Sequence, residues 1–399
     1  MNEAVSSMFY IGKQNHEAGL IDDQGNHVGK TTRFANSKEG SEKLLQFINQ
    51  YKLTPDNALV GLEATGHYWL SVFSFLHKLG FKTTVFNPLQ SDALRHFYIR
   101  KTKTDMSDAY LIAQVIQIDS PEETPFLEED LLQLRHLERL RFSFVDQCSD
   151  LKRKVISLLD QVFPEYEKIF SDVFGISSTE VLLHSPLPED LLNIDTQKLA
   201  DVLNKVSKGR YGESRALTKA HQIQESALDS FGITVGSDVF KLQIKLLLEQ
   251  IKLIEKHLQT IEQAMIDLSN RQTHFLTTIT GISDVTASVI LGEIGSINRF
   301  ERPEQLVAFA SLDASVHQSG DFNSNRTRLS KRGSPYLRRA LWQAAFVASI
   351  HDPALSVHYQ KLRQRGKAHG TAVGAVARKL THIVFIILRD NKPYEPRNS

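Results

Sequence analysis

The chain has 399 residues and a formal net charge of +1, which leaves room for two or three domains with separate cores. A single cysteine, Cys148, excludes an internal disulfide framework and a zinc site built from several thiolates. The N-terminal residues lack the basic start and apolar run of a signal peptide, and no stretch of about 18 apolar residues stands out. We therefore expect a cytoplasmic protein without a membrane span.

Residues 8–118 alternate short apolar runs with helical patterns. Strands are predicted at residues 8–11, 16–21, 58–62 and 81–86, and helices at residues 38–51, 68–79 and 105–117. Early hairpin strands followed by strand–helix units are typical of a mixed α/β sheet. The first predicted domain therefore spans residues 8–118.

A helical region follows an acidic, proline-bearing linker at residues 118–130. One long helix is predicted to run to about Pro164. A second carries apolar residues at alternating steps of three and four from Ile244 to Leu268, which is the seam pattern of a coiled coil. The pattern fits two helices packed within one monomer as well as it fits a coiled coil between subunits. We predict a linker and helical/coiled-coil module at 119–272 and a helix-rich C-terminal domain at 273–390.

The C-terminal domain contains a strongly basic segment. Between residues 326 and 379 there are twelve Lys or Arg residues and one acid, Asp352. Such a local excess of positive charge is typical of a surface that binds polyanions. The predicted nucleic-acid contacts are Arg326, Arg328, Lys331, Arg332, Arg338, Arg339, Arg363, Arg365 and Lys367. A solvated charged loop is the alternative for residues 361–367, although the near absence of acids argues against it.

Three carboxylates in the first domain have the spacing of a metal site. Glu63 follows an apolar strand, and Asp105 and Asp108 lie three residues apart on one face of a predicted helix. Mg²⁺ and Mn²⁺ prefer oxygen ligands, and clustered carboxylates supply them. Two aspartates at this spacing are common on helices for solvation or capping alone. Together with Glu63 they predict a Mg²⁺ (or Mn²⁺) site suited to phosphoryl transfer.

Ser319 is a candidate nucleophile. A serine before glycine in a polar loop usually serves turn chemistry, but basic residues that follow Ser319 could position a phosphate and stabilise its transition state. No Gly-x-Ser-x-Gly elbow surrounds it, which argues against an acyl hydrolase. Upstream, residues 279–287 fit either a helix-hairpin-helix whose turn amides hold a phosphate or a simple tight helical hairpin.

These motifs resemble those of the DEDD serine transposases of bacterial insertion sequences, the group that includes the Piv-type invertases and the bridge-RNA-guided recombinases. The resemblance covers nearly the whole chain in order. It is carried by GLEATG at 61–66, KTDMSDA at 103–109, FPEY at 163–166, LDASVHQSG at 312–320 and LSKRGSPYLRR at 329–339. It implies a RuvC-like, RNase H-type N-terminal domain of mixed sheet, a coiled-coil module and a C-terminal transposase domain.

The resemblance also implies a mechanism. Ser319 would attack DNA and form a covalent phosphoserine, while Glu63, Asp105 and Asp108 would bind Mg²⁺ or Mn²⁺ and act with it in catalysis. The implied partners are DNA at the element ends and target, and a structured guide RNA in the members that have one. The acidic cluster and the serine come from different subunits in the family, which implies a dimer or tetramer.

The first strand departs from the family pattern. The family usually reads Ile-Gly-Ile-Asp and then Lys, whereas this chain reads Ile11-Gly12-Lys13 and lacks the Asp. About four residues are missing, so we expect a strand shortened by roughly 13 Å. Neither Glu17 on the next strand nor Asp22 at its far end is an obvious replacement.

Smaller departures surround the serine, where Ser311, Ala314 and His317 stand in place of Gly, Pro and Tyr. The missing Asp leaves two alternatives to an active recombinase. One is a catalytically impaired nucleic-acid-binding derivative. The other is a metal-dependent RuvC-like nuclease, which leaves Ser319 unexplained.

Overall fold

The structure, a computed structural model, describes residues 5–22, 24, 26–64, 66–86, 128–315, 318–319, 322–323 and 328–396. The chain divides into two compact units, Met1–Phe126 and Leu127–Ser399. The predicted helix at 105–117 lies outside the described residues, and so do its candidate ligands Asp105 and Asp108. Arg326 and His317 lie outside them as well.

The first unit contains the mixed sheet that the sequence predicts. Its strands are β1 (Val5–Ile11), β2 (Asn15–Ile21), β3 (Thr32–Ala35), β4 (Ala58–Glu63) and β5 (Lys82–Phe86), in the order β3-β2-β1-β4-β5. β1 pairs antiparallel with β2 and parallel with β4, and β4 pairs parallel with β5. The short strand β3 is missing from the sequence prediction because only Phe34 of its four residues is buried, which leaves little alternation to read.

Two helices follow the predicted pattern, α1 (Lys38–Gln50) and α2 (Trp69–Lys78). α1 begins after Ser37, whose hydroxyl accepts a hydrogen bond of 3.2 Å from the Gly40 amide. One face of the sheet forms the core together with the buried sides of both helices. The residues of this core include Ala18, Leu20, Leu44, Phe47, Val60, Leu62, Phe73 and Leu76.

The prediction of a shortened first strand is wrong. β1 has seven residues, as many as β2, and its register runs from Ser6 opposite Ile21 to Ile11 opposite His16. Residues upstream of the predicted strand complete the ladder, because backbone pairing tolerates almost any side chain. The strand therefore begins three residues upstream of the predicted residues 8–11.

The second unit is helical. Its helices are α3 (Glu129–Val162), α4 (Ile176–His184), α5 (Pro188–Leu192), α6 (Thr196–Val206), α7 (Gly212–Leu228), α8 (Ser237–Ser269), α9 (Asp284–Ile294), α10 (Pro303–Phe309), α11 (Pro335–His351), α12 (Pro353–Gln364) and α13 (His369–Asp390). Four two-residue strands interrupt them, β6 (Ala314–Ser315), β7 (Gln318–Ser319), β8 (Phe322–Asn323) and β9 (Arg328–Leu329).

The apolar seam of α8 pairs with α3 of the same chain, which decides between the two interpretations of the pattern. Ile244, Ile251 and Met265 are buried in this contact. Two ion pairs flank it: Arg141 Nε lies 2.7 Å from Glu262 Oε1, and Lys152 Nζ lies 2.9 Å from Glu255 Oε1. Arg141 of α3 thus has an acidic partner on α8.

The second unit holds two hydrophobic cores. One joins the C-terminal half of α3 and the N-terminal half of α8 to α4–α7, and the other joins the N-terminal half of α3 and the C-terminal half of α8 to α9–α13. Contrary to the expectation from sequence, α13 is long and apolar enough to cross a membrane by length and composition alone. Its residues Val376, Leu380 and Val384 are fully buried against other helices, so its apolar character reflects a central place in the core.

The segment 279–287 does not form a helix-hairpin-helix. A 3-10 turn at Leu276–Thr278 precedes it, where that motif needs an α-helix. Gly281 has φ +95°, and a Cβ built there would lie 2.4 Å from the carbonyl oxygen of Ala344 on α11. The glycine is therefore required for close backbone packing inside the domain.

Candidate catalytic site

Glu63 is the last residue of β4 and is 7% exposed. β4 lies between two parallel neighbours, with Glu63 opposite Phe86 of β5, and the Ala64 amide donates to the Phe86 carbonyl at 2.8 Å. The chain turns directly afterwards at Gly66, which has φ +56°. The sheet thus holds this carboxylate in place at the carboxyl end of a parallel strand, as predicted.

β1, which lies beside β4 in the sheet, has no carboxylate at the position next to Glu63. Phe9 of β1 pairs with Leu62 on one side and Ala18 on the other, and Tyr10 pairs with Glu17. Tyr10 therefore stands in the same cross-strand row as Glu63, and this row includes Glu17. Neighbouring strands lie roughly 4.8 Å apart, so the Cα atoms of the two glutamates are separated by roughly 10 Å.

Glu17 is a residue whose place the sequence did not reveal. It is 9% exposed and shares a sheet face with Glu63, whereas sequence spacing suggested no replacement for the missing Asp. The available signal was an acid within a predicted strand, but only the pairing register shows which cross-strand row Glu17 occupies.

The donor set fits a divalent cation in its chemistry. Glu63 and Glu17 offer buried carboxylate oxygens on one face, and such ligands suit Mg²⁺ or Mn²⁺. Among the residues that the structure describes, no three His, Cys, Asp or Glu side chains gather at one point. The predicted contribution of Asp105 and Asp108 falls outside that part of the chain.

Ser319 lies in a short hairpin of the second unit. It is in β7 and pairs with Phe322 of β8. β6 and β9 also pair with each other, with Ala314 opposite Leu329. The β6–β9 pair forms the base of the segment, which we call the serine ribbon, and the β7–β8 pair lies between them in the sequence. The candidate nucleophile therefore lies in a ribbon of short paired strands, in a different unit from Glu63.

The base of the ribbon is fixed by hydrogen bonds. Ser330 donates from its hydroxyl to Asp313 Oδ1 at 2.5 Å and from its amide to the Asp313 carbonyl at 3.1 Å. The Gly333 amide donates to the hydroxyl of buried Ser311 at 2.5 Å. Ser311 has φ +55°, a left-handed conformation that explains why glycine also suits this position. The two ends of the serine segment are thus tied together.

A buried polar cluster holds the segment that follows the ribbon. The Ser334 hydroxyl caps α11 by accepting from the Leu337 amide at 3.1 Å, and it donates to Glu293 Oε2 at 2.6 Å. Arg139 of α3 donates to Glu293 Oε1 from Nε at 3.0 Å and from a terminal nitrogen at 2.9 Å. Glu293 therefore links the serine segment to the long helix.

Glu138 lies beside Glu293 in this cluster and is fully buried. Burial raises the pKa of Glu138 to about 11, and the hydrogen bond with Glu293 adds to the rise. Burial opposes ionisation of Glu293 too, yet hydrogen bonds from Glu138 and Ser334 and the charges of Arg139 and Arg135 hold its pKa below the usual range. The pair therefore shares one proton at neutral pH. Sequence reasoning missed this cluster, whose only signal was the presence of charged residues within an apolar repeat.

The structure divides the predicted basic contacts into two groups. Lys331 and Arg332 are exposed immediately after the ribbon. The side chains of Arg363, Arg365 and Lys367 are exposed at the end of α12. These five positions are accessible to a polyanion.

The side chains of Arg338 and Arg339 lie against other parts of the protein. Arg339 lies 2.8 Å from Asp146, and its guanidinium carbon lies 4.9 Å from the centroid of the Phe142 ring. Arg338 has a terminal nitrogen that is buried without a hydrogen-bond partner among the described residues. Arg339 thus joins α11 to α3. Arg328 falls in β9, and only its backbone is described.

Comparison with known proteins gives two family matches. Residues 11–164 match a transposase model of the DEDD IS110 type, and residues 273–360 match the model described as Transposase IS116/IS110/IS902 family. Each match includes one part of the candidate site, Glu63 in the first and Ser319 in the second.

Similar proteins cover most of the chain. The pilin gene-inverting protein of Moraxella bovis is 23% identical over 388 residues, which is 97% of this chain and 96% of the relative. The insertion element IS110 uncharacterized 43.6 kDa protein of Streptomyces coelicolor is 21% identical, over 80% of this chain and 78% of the relative. The insertion element IS900 uncharacterized 42 kDa protein of Mycobacterium paratuberculosis is 22% identical, over 75% and 74%. The resemblance seen in the motifs is confirmed: the chain belongs to the IS110-type DEDD transposase family.

Proposed function

We propose that this protein is a transposase-type DNA recombinase of an insertion sequence, which cuts and rejoins DNA through a covalent phosphoserine intermediate. The observation that carries the proposal is that the two family matches include Glu63 and Ser319, each on a scaffold suited to its role. Inversion of a pilin gene, which the Moraxella relative's name describes, requires the same cutting and rejoining.

In the proposed reaction, the Ser319 oxygen attacks the phosphorus of a DNA phosphodiester. The bond from phosphorus to one deoxyribose oxygen breaks, that oxygen takes up a proton, and the serine hydroxyl proton is released. The hydroxyl of a second DNA end then attacks the phosphoserine, forms the new phosphodiester and restores Ser319. The phosphate ester is kept throughout, so no external energy source is needed. Lys331 and Arg332 are placed to neutralise phosphate charge near the ribbon.

Divalent metal use is implied by membership of the DEDD family. We propose Mg²⁺ as the ion, held by Glu63 with Asp105 and Asp108, and Glu17 is the described carboxylate that could take the place of the missing Asp. The ion would stabilise negative charge on the attacking and leaving oxygens. The strand order β3-β2-β1-β4-β5 supports a RuvC-like assignment for this unit.

The same proposal includes the assembly and its partners. Glu63 and Ser319 lie in separate units of the chain, and from the family resemblance we propose a dimer or tetramer in which different subunits supply them. Element-end and target DNA are the proposed substrates, a structured RNA the proposed guide, and the cytoplasm the proposed location.

A specific observation favours a second candidate, a catalytically silent nucleic-acid-binding derivative. The sequence of β1 is VSSMFYI and contains no carboxylate. Since Tyr10 occupies the row of Glu63, the metal site lacks the acid that the family places there.

The test is a strand-transfer reaction on labelled element-end DNA with candidate guide RNA and Mg²⁺, resolved on a denaturing gel. We expect a covalent protein–DNA adduct with the wild type and none with Ser319→Ala. Ser315→Ala on neighbouring β6 is the matched control and should keep the adduct. An adduct that survives Ser319→Ala refutes the nucleophile assignment, and DNA binding without any adduct in the wild type favours the silent derivative.

A further inference from the structure

A cleft of about 710 Å³ opens in the helical module. Its walls come from the turn before α4, the end of α6 and the first turns of α7. This region lies between the two segments that match the family models, residues 11–164 and 273–360. No catalytic residue proposed above lines it, so its chemistry needs a separate explanation.

The cleft is basic. Four cationic side chains line it, Lys208, Arg210, Arg215 and Lys219, against one acid, Asp172. Asp172 is engaged locally, because its Oδ1 accepts from the Phe174 amide at 2.9 Å. Within the described residues, none of the four cations forms an ion pair with an acid. Positive charge gathered in a concave surface attracts anions more strongly than the same charge on a flat surface.

Three of these four cations are exposed to solvent and one is half-buried. Lys208, Arg210 and Arg215 are exposed and can reach a ligand without losing a partner. Lys219 is half-buried, and its Nζ donates to the Ile169 carbonyl. Burial lowers the pKa of Lys219. Lys219 therefore belongs to the floor of the cleft, and the three exposed residues form its charged rim.

Aromatic rings complete the lining. Phe170 and Tyr211 are both half-buried in the walls, and Lys219 Nζ lies 5.0 Å from the centroid of the Phe170 ring. Aromatic faces combined with cations are the surfaces on which proteins bind single-stranded nucleic acids, since bases stack on the rings while phosphates meet the charges. A cavity of this volume is in the range of small-ligand pockets, which suits a few unstacked nucleotides.

We propose that this cleft binds a single-stranded segment of nucleic acid, with its phosphates against Lys208, Arg210 and Arg215 and a base on Phe170 or Tyr211. The proposal gives the helical module a recognition role apart from the candidate catalytic site. It rests on the proposed function only in requiring that the protein handles nucleic acid.

The test uses the full chain and takes advantage of its single cysteine. Cys148 is buried, so Cys148→Ser combined with Ile176→Cys gives one accessible thiol beside the cleft, at a residue that is 72% exposed. An aryl azide attached to this thiol reports by photo-crosslinking which nucleic acid enters. Single-stranded RNA, single-stranded DNA and duplex DNA of equal length form the three arms. We expect crosslinks to a single-stranded probe and at least tenfold fewer to the duplex.

Charge reversal identifies the residues responsible. The double variant Lys208→Glu/Arg210→Glu should abolish the crosslink and reduce the slope of log affinity against log salt for single strands by about 1.4. Lys198→Glu/Lys256→Glu changes the net charge equally at exposed sites outside the cleft and should keep the crosslink. Whether RNA or DNA crosslinks better identifies the source of the single strand.

Three outcomes would overturn the inference. Retention of single-stranded probes without a crosslink at residue 176 would show that binding takes place elsewhere, and the proposed function would stand. Equal losses in the two double variants would show that net charge alone matters. A wild-type protein that binds none of the probes would overturn both this inference and the proposed function.

Discussion

The proton shared by Glu138 and Glu293 makes the stability of the C-terminal domain depend on pH. Glu138 is fully buried, and neither of its carboxyl oxygens receives a hydrogen bond from a described residue. An ionised Glu138 would place a second buried negative charge beside Glu293, which the charges of Arg135 and Arg139 offset only in part, while a protonated Glu138 can donate to Glu293. Glutamine at residue 138 has nearly the same shape, can also donate to Glu293, and cannot ionise.

The magnitude follows from proton linkage. The pKa of Glu138 is about 11 in the native protein against an ordinary value of 4.5, so the native state keeps a proton that the unfolded chain loses. The resulting stabilisation is full below pH 4.5 and decreases as the pH rises towards the native pKa. The slope is up to about 1.4 kcal/mol per pH unit. Between pH 6.5 and 8.5 the free energy of unfolding should thus fall by roughly 2–3 kcal/mol, and Glu138→Gln should remove this decrease.

Urea unfolding followed by tryptophan fluorescence measures the effect. Trp342 packs against the core that contains the cluster, and a Trp69→Phe background removes the signal of the first unit. Other groups titrate equally in both proteins, so the difference between wild type and Glu138→Gln isolates one proton. Parallel curves between pH 6.5 and 8.5 would refute the reasoning, because they would show that Glu138 is not protonated in the native protein.

Three further substitutions test the structure. Gly281→Ala should lower the free energy of unfolding by roughly 3 kcal/mol, because φ is +95° and the new Cβ would meet the Ala344 carbonyl oxygen; urea unfolding measures this. Tyr10→Asp should restore a carboxylate to the row of Glu63, so Mg²⁺ or Mn²⁺ should raise Tm more in this variant than in the wild type. Asp352→Ala should cost about 1–2 kcal/mol by removing the cap of α12, measured as a lower Tm.

Each of these predictions has a control. Gly370→Ala lies on α13 in open space and should leave stability unchanged or slightly higher. Asp352→Asn keeps a capping oxygen and should retain most of the stability. Equal metal-dependent changes in Tm for Tyr10→Asp and the wild type would mean that position 10 does not face the metal, and unaltered unfolding of Gly281→Ala would contradict the close packing on α11.

Much of the fold could be predicted because local patterns coincide with the tertiary contacts. α1 follows from its capping residue and its apolar face, and β4 and β5 follow from short, mostly buried runs. The three–four spacing of α8 predicts its buried face. It did not identify the partner, since a helix within the chain and a second subunit offer the same apolar surface to Ile244 or Ile251. Only the contact with α3 decided this.

The prediction about the first strand went wrong because sequence shows a deletion without showing how the ladder adjusts. A strand pairs through its backbone, so upstream residues can enter the sheet and keep its length. The adjustment puts Tyr10 beside Glu63 and brings Glu17 into the same row. No spacing between Glu17 and Glu63 along the chain could indicate this.

The sequence by itself determined the family, the motifs around Glu63 and Ser319 and the basic character of the C-terminal domain, because these depend on residue types in a linear order. The tertiary structure alone decided which row of the sheet each acid occupies, how Glu293 and Glu138 support the serine ribbon, and which arginines are engaged internally. Those properties depend on contacts between residues far apart in the sequence, as between Arg139 and Glu293. Burial then sets their charge, because a carboxyl removed from water ionises only where its neighbours compensate it.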